Sequence, residues 1–89
     1  MQQAKLVRQV PPVYPPEARQ AGVSGVVRLN VVVAKDGTVA NIEVALGPPM
    51  LAQAAIDAVR QWVYRPTLLN GVPVEVSTMV EINFAAGGQ

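Results

Sequence analysis

The chain contains no cysteine and no histidine. Zinc sites built on thiolate or imidazole are therefore excluded, as is any nucleophile that needs a histidine base. The lack of cysteine fits any redox compartment. Aromatic residues are scarce, with one Trp, two Tyr and one Phe. Arg28, on a strand face, thus has no aromatic platform beside it of the kind that binds single-stranded nucleic acid. Charged residues make up 15 % of the chain and the net charge is +1. That provides neither a basic field for nucleic acid nor an acidic tail. No apolar run approaches the ~20 residues needed to cross a bilayer. The opening stretch "MQQAKLVRQ" is too short and too polar for a signal peptide. The expectation is a soluble domain, which includes a soluble piece of a longer, membrane-anchored protein.

What is present is a compact set of patterns. With 89 residues there is room for one domain, and 51 % hydrophobic composition supplies a core. Residues 1–13 read as an extended lead-in, and "PPVYPP" stiffens its end, since each proline fixes φ and removes a donor. Pro16 opens a short helix, "PEARQAG", with Glu17 in its first turn. In "GVVRLNVVVAKDGTVANIEVAL", Val27, Leu29, Val31 and Val33 share one face at period two. Ile42, Val44 and Leu46 do so on the return, and Asp36-Gly37 predicts a two-residue hairpin turn. From Pro49, Leu51, Ala55, Val59, Trp62 and Val63 form a helical stripe that places Trp62 in the last turn, in the core. Pro66 ends that helix at or before Arg65. Tyr64 falls off the stripe and is expected at the core's rim with its hydroxyl in water.

Asn70-Gly71 is a turn before a last strand, 74–84. There Val74, Val76, Thr78, Val80, Ile82 and Phe84 line one face, and Glu75, Ser77, Met79, Glu81 and Asn83 the other. The predicted fold is α+β: a three-stranded antiparallel sheet with two helices packed on one face, in the order α-β-β-α-β.

Catalytic and metal chemistry find no support in these patterns. Glu75 and Glu81 lie about 20 Å apart along their strand, and no histidine can activate the Ser or Thr residues. "KDGT" lacks the further acidic ligands of a calcium loop. The glycines, Gly25 and Gly37 among them, sit at element boundaries and not at phosphate-loop spacing. No cofactor, metal, small-molecule substrate or enzyme activity is expected. The final strand is different: after Pro73 it carries no Pro and no Lys, the residues that usually block edge pairing. It is either covered or available to an extended peptide.

Together these stretches resemble the C-terminal domain of TonB-like energy transducers, over about residues 12–84. "VYPPEARQAGVSGVVRLNVVVAKDGTV" is similar to the family's Tyr-Pro, Ala-rich short helix, Gly-x-Val strand and Asp-Gly turn. "AIDAVRQWVYRP" resembles its helix ending in Trp-x-aromatic-x-Pro, and "NGVPVEVSTMVEINF" its final strand closing on an aromatic. The resemblance implies a lead-in over 1–13 that ends a spacer, a domain over 14–85 and a tail over 86–89. It implies a periplasmic location, as the soluble part of an inner-membrane-anchored protein of a Gram-negative-type bacterium.

Its implied partners are an ExbB/ExbD motor and the TonB box of an outer-membrane TonB-dependent transporter for iron siderophores or similar cargo. The box would add as a strand along Glu75, Val76, Ser77, Thr78, Met79, Val80, Glu81, Ile82 and Asn83, with Tyr14 and Pro15 orienting the spacer. Gly25, Asp36, Gly37, Trp62, Pro66 and Phe84 are expected to be structural. A second reading stays open: an assembly or sensor-attached module that pairs with itself, as a homodimer, or with cell-envelope proteins, without transport.

Overall fold

A computed structural model describes residues 5–85. The expected tail over 86–89 and the first four residues of the lead-in lie outside the described residues. The elements run β1 (Leu6–Arg8), α1 (Pro16–Gln20), β2 (Gly25–Val33), β3 (Val39–Leu46), α2 (Pro49–Val59), β4 (Val63–Tyr64), β5 (Thr67–Leu69), β6 (Val72–Val74) and β7 (Val76–Phe84). The main sheet is antiparallel with strand order β3-β2-β7. The expected α-β-β-α-β frame is therefore present, with four short strands added to it. β1 pairs with β4, and β5 with β6.

The core is a sandwich of sheet and helix. Period-two alternation turns Val27, Leu29, Val31 and Val33 of β2 inward, with Val80 and Phe84 of β7 beside them. Leu51, Ala52, Ala55, Ala58 and Val59 of α2 and Ala18 of α1 cover that face. Both helices open on proline, with Pro16 and Pro49 at the first position, where the missing N–H has no intrahelical partner to lose.

Three local readings are corrected. First, α2 stops at Val59. The chain then tightens through Gln61 N–H to Ala58 O and Trp62 N–H to Val59 O, so Trp62 lies beyond the helix and not in its last turn. Second, the β2–β3 connection is a three-residue loop. Gly37 N–H donates to Ala34 O and Ala34 N–H to Thr38 O. Only Gly37 of the pair Asp36-Gly37 has positive φ, which is the turn-plus-bulge form and not the two-residue one. The two-residue turn with both φ positive occurs instead at Asn70-Gly71 (φ 53 and 79), between Leu69 and Val72. The strand predicted over 74–84 is accordingly interrupted at Glu75, and Val74 belongs to this small hairpin.

Third, β3 does not alternate evenly. Leu29 faces Val44 while Arg28 faces Leu46, and Val33 faces Val39 while Val32 faces Asn41. Ala45 and Ala40 are therefore extra residues, two β-bulges in one strand. The bulge at Ala45 carries Leu46 onto the outer face beside Arg28, where it is exposed. Val44 keeps the inner side but lies at the sheet's margin and is also exposed.

Candidate functional site: an unpaired strand edge

The sheet has two edges, β3 and β7. The β3 edge is spoiled. Its two bulges twist it, and its start is covered, since Thr38 bridges to Val63 and Tyr64 N–H donates to Gly37 O at 2.8 Å. β7 is regular. It pairs with β2 without interruption from Val33↔Val76 to Gly25↔Phe84, and no described strand pairs with its other side.

The hairpin geometry tells which β7 residues face outward. Ala34 directs its N–H at Thr38, the residue before β3. Backbone direction alternates along a strand, so Val32, Asn30 and Arg28 also address β3, and Val33, Val31, Leu29 and Val27 address β7. The bulges fit this parity, because each sets two β3 residues against Val32 or Arg28. On β7 the partners Val76, Thr78, Val80 and Ile82 therefore spend their N–H and C=O groups on β2. Ser77, Met79, Glu81 and Asn83 turn theirs away from the sheet. The side chains of these four lie on the outer, exposed face. Glu81 there accepts a 2.8 Å hydrogen bond from Arg28 Nε directly across the ladder. Both partners are half exposed, so the pair contributes at most ~1 kcal/mol. Glu75 sits in the break before β7 and has no place in the ladder.

Tyr14 packs at the far end of β7. The Tyr14 ring meets Phe84 edge-on at 5.5 Å, its hydroxyl donates to Val23 O, and the Arg19 guanidinium lies 5.2 Å from the ring centre. Pro15 caps α1. Gly25 starts β2 opposite Phe84, which closes the core at 5 % exposure. Asp36 Oδ1 accepts from Thr38 N–H at 3.0 Å and from the Thr38 hydroxyl at 2.6 Å, and these bonds hold its carboxyl below the usual range.

Trp62 is buried, and its Nε1–H donates to Val10 O at 2.8 Å. Tyr64, expected at the rim, is buried too, and burial pushes its phenol up from the ordinary value. Both residues bind the lead-in. β1 pairs Leu6 with Tyr64, and Arg65 N–H donates to Lys5 O at 2.7 Å. Nothing in the local sequence pattern marks Val10, Lys5 or Leu6 for this role. Three residues of strand are too few for a period, and Pro66 carries the only local sign that the chain leaves the helix for an extended path.

A hollow of about 380 Å³ lies between residues 10–15 and α2. Asp57 is the charged residue lining it, and it is held by Gln53 at 3.0 Å. The site's chemistry is instead that of the free backbone on β7.

Residues 10–86 match the family described as Gram-negative bacterial TonB protein C-terminal. The chain belongs to this family. Among curated relatives, Protein TonB of Xanthomonas campestris pv. campestris (strain B100) is 40 % identical over 77 residues, covering 84 % of this chain and 34 % of that protein. Protein TonB of Vibrio cholerae serotype O1 is 33 % identical over 82 residues, covering 90 % and 34 %. The chain thus spans about a third of the length of the TonB proteins it matches.

Among solved structures, the solution structure of the Pseudomonas aeruginosa TonB C-terminal domain superposes with a TM-score of 0.78 at 26 % identity, covering 97 % of this chain and 89 % of that one. The TonB2 protein of Vibrio anguillarum gives 0.69 at 30 % identity, covering 98 % and 85 %. Both agree with the α+β fold expected of a TonB C-terminal domain. Among the described residues no helix is long and apolar enough to cross a membrane.

Proposed function

We propose that this TonB C-terminal domain is a binding module, not an enzyme, whose β7 edge takes up the TonB box of an outer-membrane transporter as an added strand. The observation that carries the reading is the contrast between the edges: β3 is bulged and partly covered, whereas β7 is regular and offers the backbone of Ser77, Met79, Glu81 and Asn83. Main-chain pairing tolerates varied partner sequences. A pull along the strand axis loads all the bonds of the added strand in shear together. Bonds worth only ~1 kcal/mol each then resist as a set.

In the full-length protein this domain would lie in the periplasm, anchored in the inner membrane beside an ExbB/ExbD-like motor. It would pass proton-motive force to a transporter of iron siderophores or similar cargo. Residues 5–8, held on β4 and Arg65, would set the direction from which the spacer arrives, and Tyr14, at the Phe84 end of β7, would fix the far end of the lead-in. The same open edge favours one second reading, self-pairing of two copies.

A proline scan tests the docking edge. Met79→Pro deletes an outward N–H and spares the β2 ladder, as proline is tolerated on the solvent side of an edge strand. It should abolish binding of TonB-box peptides while the domain stays folded. Thr78→Pro deletes a bond to β2 and should unfold it. Self-association lost in Met79→Pro, with no peptide binding by the parent, would favour the second reading. Parent-like peptide binding by Met79→Pro refutes docking at β7.

A further inference from the structure

The end of the molecule opposite Phe84 carries an unexplained apolar projection. Among the described residues, β5 and β6 pair only with each other around the Asn70-Gly71 turn. Leu68, Leu69 and Val72 are 49 %, 60 % and 59 % exposed. The radius of gyration is 14.3 Å, against ~12 Å for a compact chain of this size, and the 49 Å long dimension exceeds the roughly 30 Å spanned by a nine-residue strand. The hairpin thus projects from the body, and no described element covers it.

Cations surround its base. Arg65 precedes Pro66 at the hairpin's root and bonds Lys5 through the backbone. Arg8 pairs with Val63, which bridges to Thr38, and Lys35 sits in the adjoining turn. All four are exposed, and the ion pair found among the described residues, Arg28–Glu81, lies elsewhere. The acidic groups at this end are Asp36, bonded to Thr38, and Glu75. The net charge of +1 is therefore split: this end is positive, and the rest of the chain is slightly negative.

We propose that this end is a docking surface for an anionic lipid bilayer. Leu68, Leu69 and Val72 enter the interfacial region, and Lys5, Arg8, Lys35 and Arg65 meet the headgroups. Apolar tip and basic collar are the two components of peripheral membrane attachment. A second copy fits less well. Tip-to-tip contact would bring like charges together, and three side chains fall far short of the ~800 Å² per partner of a stable interface.

The 89-residue chain is sedimented with vesicles of phosphatidylcholine alone, and of phosphatidylcholine with phosphatidylglycerol, at low and high salt. Binding is expected only to the phosphatidylglycerol vesicles, and weaker at high salt. Lys35→Gln and Arg8→Gln should each weaken it about fivefold. Leu69→Asn combined with Val72→Thr should weaken it at least tenfold, with an unchanged melting temperature because both side chains face solvent. Several outcomes overturn the proposal: no binding to either vesicle, equal binding to both, or parent-like binding by the hairpin double variant. Hairpin-dependent self-association in sedimentation velocity would assign the tip to a second copy and overturn it as well.

Discussion

Gly37→Ala and Gly71→Ala form a matched pair. Both glycines have positive φ, +92 and +79. An alanine pays about 1–2 kcal/mol in that region and recovers about 0.4–1 kcal/mol from a less flexible unfolded chain. At Gly71 a new Cβ meets nothing within 4 Å, so the net cost there should stay at about 0.5–1 kcal/mol. At Gly37 the Cβ would lie 3.1 Å from the carbonyl carbon of Tyr64 and overlap its oxygen. The turn and β4 must separate. That removes the Tyr64 N–H to Gly37 O bond, worth about 1 kcal/mol, and loosens the seat of Tyr64, itself 4 % exposed.

A total of roughly 3 kcal/mol is expected at Gly37. Set against a whole-domain stability of about 4–13 kcal/mol, that is a large fraction. At about 4–8 °C per kcal/mol, Gly37→Ala should lower the melting temperature by about 15 °C or more and Gly71→Ala by about 5 °C. Circular dichroism gives the melting curves, and fluorescence of Trp62 reports whether the β4 region loosens first. Equal shifts for the two variants would refute the backbone contact between turn and strand.

Two further predictions concern single side chains. Trp62→Ala should cost ~3–5 kcal/mol, whereas Trp62→Phe, which keeps an aromatic ring but loses the donor to Val10 O, should cost ~1–2 kcal/mol; equal urea midpoints for parent and Trp62→Ala would contradict its place in the core. For Asp36, the Thr38 hydroxyl first and the Thr38 N–H second lower the folded pKa below the ordinary 3.8. Its contribution to stability is therefore present above pH 3.8 and fades as pH falls from there through the lower folded value. Thr38→Val should raise the Asp36 midpoint seen by NMR titration, and an unmoved midpoint would show that the hydroxyl bond is not formed.

Local pattern was enough for the elements with a sustained period. The alternation in "VVRLNVVV" and "VSTMVEINF" and the stripe from Leu51 to Val59 each state a buried face directly, because period maps onto face without reference to any other part of the chain. With the order of motifs, they made the TonB C-terminal fold legible, and they marked the last strand as one lacking the usual guards of an edge.

Long-range pairing decided the remainder. The helical stripe runs on to Trp62 and Val63, yet the helix ends at Val59, because Val63 and Tyr64 pair with β1 and Trp62 anchors Val10. Tyr64 is buried for the same reason. Only the register shows Ala40 and Ala45 as bulges, since an extra residue leaves no mark on composition. The outward parity of Ser77, Met79, Glu81 and Asn83 follows from hydrogen bonds made at the other end of the hairpin. A strand's sequence states which face is wet. Which edge is free depends on what the rest of the chain has already paired, and that is a property of the assembled sheet.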